Sequence, residues 1–297
     1  MKKKMKINPI LKKELMVGSR NMKMSWGIFG FNAFLTFIVI FVMMILNANS
    51  NMDGYDFGYL ITLFPVLGCV ECGVLSLVVP IITSGSISGE RERQTLDIML
   101  TTPVKPFSIA LGKLGSAMML VMIYMVSSIP VMAIAFVLGG MNWGALLGLI
   151  VMMLYLGAYV GSVGIFCSSV VKKSIAATVL TIVIGIGIIV LTSSIFGIGT
   201  SIKAYYQTIH NNSISYSPGA LPIILMFNPY TPFADFMLRS MSSYSIYDII
   251  ASAGKMPVIL TAVYKAWIPV SVVLNLLIAL GFLKLAARNI AVTHNRK

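Results

Sequence analysis

Residues 60–100 read LITLFPVLGCVECGVLSLVVPIITSGSISGERERQTLDIML, and the fold is decided by where this stretch changes character. From Leu60 to Thr83 only Glu71 carries a formal charge. A helix of that length rises about 36 Å at roughly 1.5 Å per residue, enough for a hydrocarbon core about 30 Å thick. The small residues Ser84, Gly85, Ser86, Ser88 and Gly89 follow, and Glu90 to Arg93 then alternate in sign. Such an order describes a membrane span reaching water, with the small residues expected to loosen its exit.

The same length test, applied outward, finds further spans at Trp26–Leu46, Leu114–Leu138, Ala145–Val171 and Ser174–Phe196, none containing a charge. A sixth, Trp267–Leu283, is shorter, but Lys265 and Lys284 flank it and can snorkel to the interfaces. Pro130 and Pro269 fall inside spans, where proline is better tolerated than in soluble helices. Composition agrees: 58% of the 297 residues are hydrophobic and 10% are charged, against about 25% charged in ordinary soluble domains. Mean hydropathy is +0.91. Soluble globular, disordered and disulfide-framework classes are excluded. The expected fold is an all-α integral membrane protein with six transmembrane helices.

Charge gives the orientation. Of the 22 Lys and Arg residues, 18 fall in residues 1–25, 84–113, 172–173 and the tail from Lys284, all on one side of the six-span reading. The positive-inside rule makes that side cytoplasmic, with both termini there. The net +13 is thus an orientation signal, and a nucleic-acid partner is not expected. A cleaved signal peptide is also not expected, because some 25 residues precede the first apolar run. Cys69, Cys72 and Cys167 lie inside spans and imply no disulfides. Cys69 and Cys72 form a C-x-x-C that reads as small residues on a helix face.

Residues 7–24 suit a basic amphipathic helix in the interface. Asn8 and Pro9 fit its start, Ile7, Leu11, Leu15 and Met22 recur at helical spacing, and Lys12, Lys13, Arg20 and Lys23 lie opposite. After Arg93, Leu96, Met99 and Leu100 form an apolar i, i+3, i+4 patch, and Thr102-Pro103 ends that short helix. A short amphipathic helix held between two spans reads either as a docking element or as an ordinary solvated loop with capping charges, and composition leaves both open. The external stretch 197–266 carries an apolar piece, Leu221–Phe227, too short to span, and short helices are expected before the sixth span.

Gly89-Glu90-Arg91-Glu92-Arg93-Gln94-Thr95-Leu96-Asp97-Ile98-Met99-Leu100-Thr101-Thr102-Pro103, with Lys113 beyond, resembles the GERE-x-G-T-L-[DE]-x-L-L-x-[ST]-P signature of type-2 permeases. These are the membrane subunits of ATP-binding-cassette exporters. Asn8-Pro9 with Lys13-Glu14-Leu15 is similar to the family's N-P-x-x-x-K-E-L opening, and Asn228-Pro229 to its N-P before the last span. Gln94 departs from the signature, which has Gly there, so a different local turn is expected.

The resemblance implies a connecting helix over residues 1–25, a permease domain over 26–297, a coupling helix within 84–113 and an external re-entrant region in 197–266. It implies that Glu90, Arg91, Glu92, Thr95, Leu96 and Asp97 contact an ATPase subunit. The implied partners are two ATPase chains, which would hold ATP and Mg, and a second permease, identical or homologous. The implied location is a prokaryotic cytoplasmic membrane. From the residues themselves, no G-x-x-x-x-G-K-[ST] occurs, so no P-loop chemistry is expected on this chain, and no cofactor or metal site is expected either. His210 and His294 fall on opposite sides of the membrane, which leaves no hydrolase constellation.

Glu71 is the ionisable residue deep in a span, and two readings of it stay open. It lines a translocation path and binds a cation or basic substrate, or it pins two helices by a hydrogen bond. Gly157, Gly161 and Gly164 permit close helix approach and point to packing within the bundle. Two rival functions remain beside the exporter permease: a secondary transporter or channel working through Glu71, and a non-transporting anchor or regulator of an ATPase.

Overall fold

The computed structural model describes residues 22–49, 61–95, 106–139, 143–209, 220–242, 244–252 and 258–295. Among them every regular element is helical: α1 (Met22–Asn49), α2 (Leu63–Glu92), α3 (Pro106–Gly139), α4 (Trp143–Val170), α5 (Ser174–Ile209), a 3-10 helix (Leu221–Phe227), α6 (Thr231–Ser242), α7 (Ile246–Ser252), α8 (Val258–Lys265) and α9 (Trp267–Asn295). Six of these, α1 to α5 and α9, are long and apolar enough to cross a membrane. The expected interfacial helix over 7–24 lies almost wholly outside the described residues, as do Leu96 and Asp97 of the docking segment.

Several helices run past the boundaries read from hydropathy. α5 continues to Ile209 rather than Phe196, α9 to Asn295 rather than Leu283, and α3 begins at Pro106 rather than Leu114. Pro106 suits a first helical position, since its missing N–H would have had no partner there. The largest correction concerns residues 84–89. They do not loosen the exit of α2, because the helix runs through them to Glu92 with Ser84, Ile87 and Ser88 buried. Their smallness serves packing. The Ser84 and Ser88 hydroxyls return hydrogen bonds to the Pro80 and Ser84 carbonyls, which keeps these polar side chains satisfied inside the bundle.

The chain divides into two compact units, residues 1–182 with 279–297, and residues 183–278. In the first, α4 packs closely against α2 and α3. A Cβ built on Gly161 would lie 2.8 Å from Leu114 Cδ1, and one on Gly164 would lie 2.0 Å from Thr83 Oγ1 and 3.0 Å from Thr83 Cβ. The glycines therefore face the bundle, as their spacing suggested. At the motif end of this unit, Ile87, Ala110, Leu114, Ile165, Leu283, Ala286 and Ile290 form a buried apolar cluster. α1 joins α3 through Asn32 Nδ2, which donates to Ser127 Oγ at 3.1 Å, and through an edge contact of Phe31 with Tyr124.

The second unit holds the short helices expected before the sixth span. Met226, Ile250, Tyr264 and Trp267 form its core. Asn228 is buried, donating to Thr192 Oγ1 at 3.0 Å and accepting from the Tyr230 N–H at 3.0 Å, the geometry of an Asx turn. Ser245 and Asp248 form a reciprocal cap on α7: the Ser245 N–H donates to Asp248 Oδ2 at 2.7 Å and the Asp248 N–H to Ser245 Oγ at 3.2 Å. The Ser245 hydroxyl and N–H hold the Asp248 carboxyl below its usual range. The buried Asp235 accepts from Arg239 Nε at 3.0 Å and from the Ile246 N–H at 2.6 Å, fixing α6 to the start of α7.

Gly164→Ala should destabilise the first unit by about 1–3 kcal/mol, the usual cost of overpacking. Thermal unfolding of the detergent-solubilised protein measures it, and Thr83→Ala in the same chain should recover part of the loss.

Candidate functional site

The signature segment begins on the last turn of α2, where three consecutive charged residues reach three different helices. Glu90 accepts from Lys113 Nζ of α3 at 3.4 Å. Lys113 is only 6% exposed and Glu90 34% exposed, so the pair sits at the edge of the bundle with its cation inside. Arg91 Nη2 donates to the Ser169 carbonyl at 3.4 Å, on the final turn of α4, where a cation complements the helix dipole. Glu92 accepts from both the backbone N–H of Ser174 at 2.9 Å and its hydroxyl at 3.0 Å, placing a carboxylate on the N-terminus of α5.

Two serine contacts prolong this arrangement toward the middle of α2. Ser88 Oγ lies 3.3 Å from Ser174 Oγ, and Ser84 Oγ lies 2.5 Å from Thr178 Oγ1. Residues 84, 88 and 92 recur at four-residue spacing, so one face of α2 carries a polar ladder against α5. On the α4 side, the Ser168 hydroxyl accepts from the backbone N–H groups of Ile87 and Ser88, each at 2.9 Å. Asn289 Nδ2 of α9 donates to Ser169 Oγ at 3.2 Å.

α2 ends in a tight turn. The Thr95 N–H donates to the Glu90 carbonyl at 2.9 Å, and the Thr95 hydroxyl donates to Glu90 Oε2. Gln94 takes φ 56, the left-handed region that glycine enters without strain. The departure from the signature at this position therefore leaves a glycine-like turn in place, held by Glu90 and Thr95. Of the signature residues named from sequence, Glu90, Arg91, Glu92 and Thr95 are thus brought together, all bonded within this chain. Leu96 and Asp97 lie outside the described residues. Sequence reasoning missed Lys113, Ser168 and Ser174 as partners. The signal for Ser174 was a hydroxyl at the first position of a span just beyond Lys172-Lys173.

Glu71 lies elsewhere, fully buried in α2. Its Oε1 is 2.5 Å from Ser128 Oγ of α3, while Oε2 has no protein partner. Ser128 Oγ also lies 2.9 Å from the Met125 carbonyl, and its single proton cannot serve both acceptors. A donor on residue 71 completes both bonds. This is the helix-pinning geometry, with Asn32 and Ser127 joining α1 to α3 at the neighbouring residue. Among the described residues, no group of three or more His, Cys, Asp or Glu side chains is placed to hold a metal ion.

Six helices long and apolar enough to cross a membrane define a multi-pass helical membrane protein. The sequence profile of the family described as ABC-2 family transporter protein matches residues 72–287, and the chain belongs to that family. No curated protein matches the chain. The family comprises the permease part of ATP-binding-cassette transporters, which carries no ATPase site of its own and works with such ATPases.

Two substitutions test the local geometry. Gln94→Gly should stabilise the turn by about 0.5–1 kcal/mol, and Gln94→Val should destabilise it, since β-branched residues resist positive φ. At residue 71, Gln supplies the donor and should hold thermal stability close to wild type, whereas Ala orphans Ser128 and should cost about 1–3 kcal/mol. Melting temperatures of the purified variants check both.

Proposed function

We propose that this chain is the membrane-spanning permease subunit of an ATP-driven exporter, forming half of a translocation path and coupling to a separate ATPase. The observation that carries the reading is the family match, supported by the start of the signature at the end of α2, whose charged residues bond to α3, α4 and α5. The signature's docking segment, with Leu96 and Asp97, seats on the ATPase, and the apolar patch of Leu96, Met99 and Leu100 gives it buried area. ATP and Mg belong to the ATPase chains, two per assembly. The side carrying the 18 basic residues faces the cytoplasm of a prokaryotic cell, which puts the signature within the ATPase's reach. Residues 1–25 take the role of the family's connecting segment at the inner leaflet, their basic residues supporting it.

A second permease, identical or homologous, completes the path. Glu71 is a candidate for the path, its second carboxylate oxygen being buried without a protein partner.

Affinity purification of the tagged chain from its native membranes, with mass spectrometry of the bound chains, tests the reading. The wild type should bring down a P-loop ATPase that hydrolyses ATP. Leu96→Ala with Asp97→Ala should lower its recovery about tenfold or more, equivalent to ~1.4 kcal/mol of binding. Full recovery with the double variant contradicts the docking assignment.

A further inference from the structure

The signature's first acids are both bonded within their own chain, Glu90 at the edge of the bundle and Glu92 on its exposed surface. Each carboxylate oxygen of Glu92 accepts from Ser174, one from the N–H and one from the hydroxyl. The oxygens of Glu90 accept from Lys113 and from Thr95. Each carboxylate thus holds a group of its own chain, and withdrawing it would strand what it holds. Lys113 would be left nearly buried without this carboxylate, and the first turn of α5 would lose the acceptor for its leading N–H. Thr95, two residues past Arg93, is fixed by Glu90 through side chain and backbone alike, so the turn that follows α2 is held by the same residue.

We propose that Glu90 and Glu92 are positioning residues that lock the end of α2 to α3 and α5, and thereby aim the segment from Leu96 onward, rather than contacts made to the ATPase. This rests on the docking role given to that segment above. The lock has three arms. Glu90 reaches α3, Glu92 reaches α5, and Arg91 reaches the carbonyl end of α4 between them. A push delivered to residues 96–105 is then received by four helices together. Without the lock, the same push would bend the turn that follows α2, where the left-handed Gln94 is the natural place to yield.

The test is a charge exchange read by ATPase recovery on the tagged chain. If Glu90 acts through Lys113, Glu90→Lys and Lys113→Glu should each lower recovery about tenfold, and the two together should restore most of it. If Glu90 instead touches the ATPase, Lys113→Glu alone should leave recovery intact and the double variant should be no better than Glu90→Lys, which overturns the proposal. Should the reversed charges prevent folding, the neutral pair Glu90→Gln with Lys113→Met serves the same end. It should recover more ATPase than Glu90→Gln alone, because the nearly buried ammonium that lost this carboxylate is removed with it, and equal recovery overturns the proposal. Melting temperatures of the same proteins keep the two readings apart. A wild type that binds no ATPase defeats the docking role, while a drop of about 4 °C in each single variant, reversed in the double, still shows the lock. A wild type that binds ATPase, with no rescue by either measure, defeats the lock alone.

Discussion

Everything at the signature end of the molecule depends on how closely α2 and α4 approach. Gly164 leaves no room for even one carbon against Thr83. In a bilayer, association of helices gains little from the hydrophobic effect, because lipid tails are as apolar as leucine. Close packing and hydrogen bonds have to supply the adhesion. A glycine at that crossing brings the two backbones near enough for the Ser168 hydroxyl to reach the Ile87 and Ser88 N–H groups. It also brings Arg91 to the last carbonyls of α4. The polar contacts follow from the packing, and a wider spacing would part the Ser168 hydroxyl from both amides.

The same crossing gives α2 its place as hub. Its outer turns meet α3, α4 and α5 by three distinct kinds of bond, an ion pair, a cation on a helix C-terminus and an anion on a helix N-terminus. The two helix-end contacts exploit partial charges that every helix carries. A sign-alternating run such as Glu90-Arg91-Glu92 is suited to them because neighbouring helices in the bundle present opposite ends. The alternation is a map of helix direction: α4 arrives with its C-terminus, α5 departs with its N-terminus. This accounts for acid and base side by side where a solvated cap would need neither order.

Much of this was legible in the sequence, and the parts that were not share one cause. Six spans were readable because twenty or so apolar residues have few other uses, and the short helices over 221–265 because prolines and polar residues break the runs. Glycines 157, 161 and 164 were rightly read as packing inside the bundle. Helix ends were misplaced wherever polar residues continue a helix beyond the apolar core, as at Ile209 and Asn295. Hydropathy measures the solvent, not the backbone. The serines and glycines of 84–89 were misread for the same reason, since smallness signals flexibility in water but close contact inside a bundle. The charged residues of the signature were identified as a group, yet their partners were not, because Lys113, Ser169 and Ser174 are 23, 78 and 82 residues from them.

Amide hydrogen exchange over residues 84–92, measured on the protein in lipid nanodiscs, probes the central claim most directly. A helix locked against α4 and α5 should exchange as slowly there as the buried stretch 157–168 of α4. Exchange at the rate of an open loop would mean that the end of α2 is not held, and the account of how its signature is anchored would be wrong.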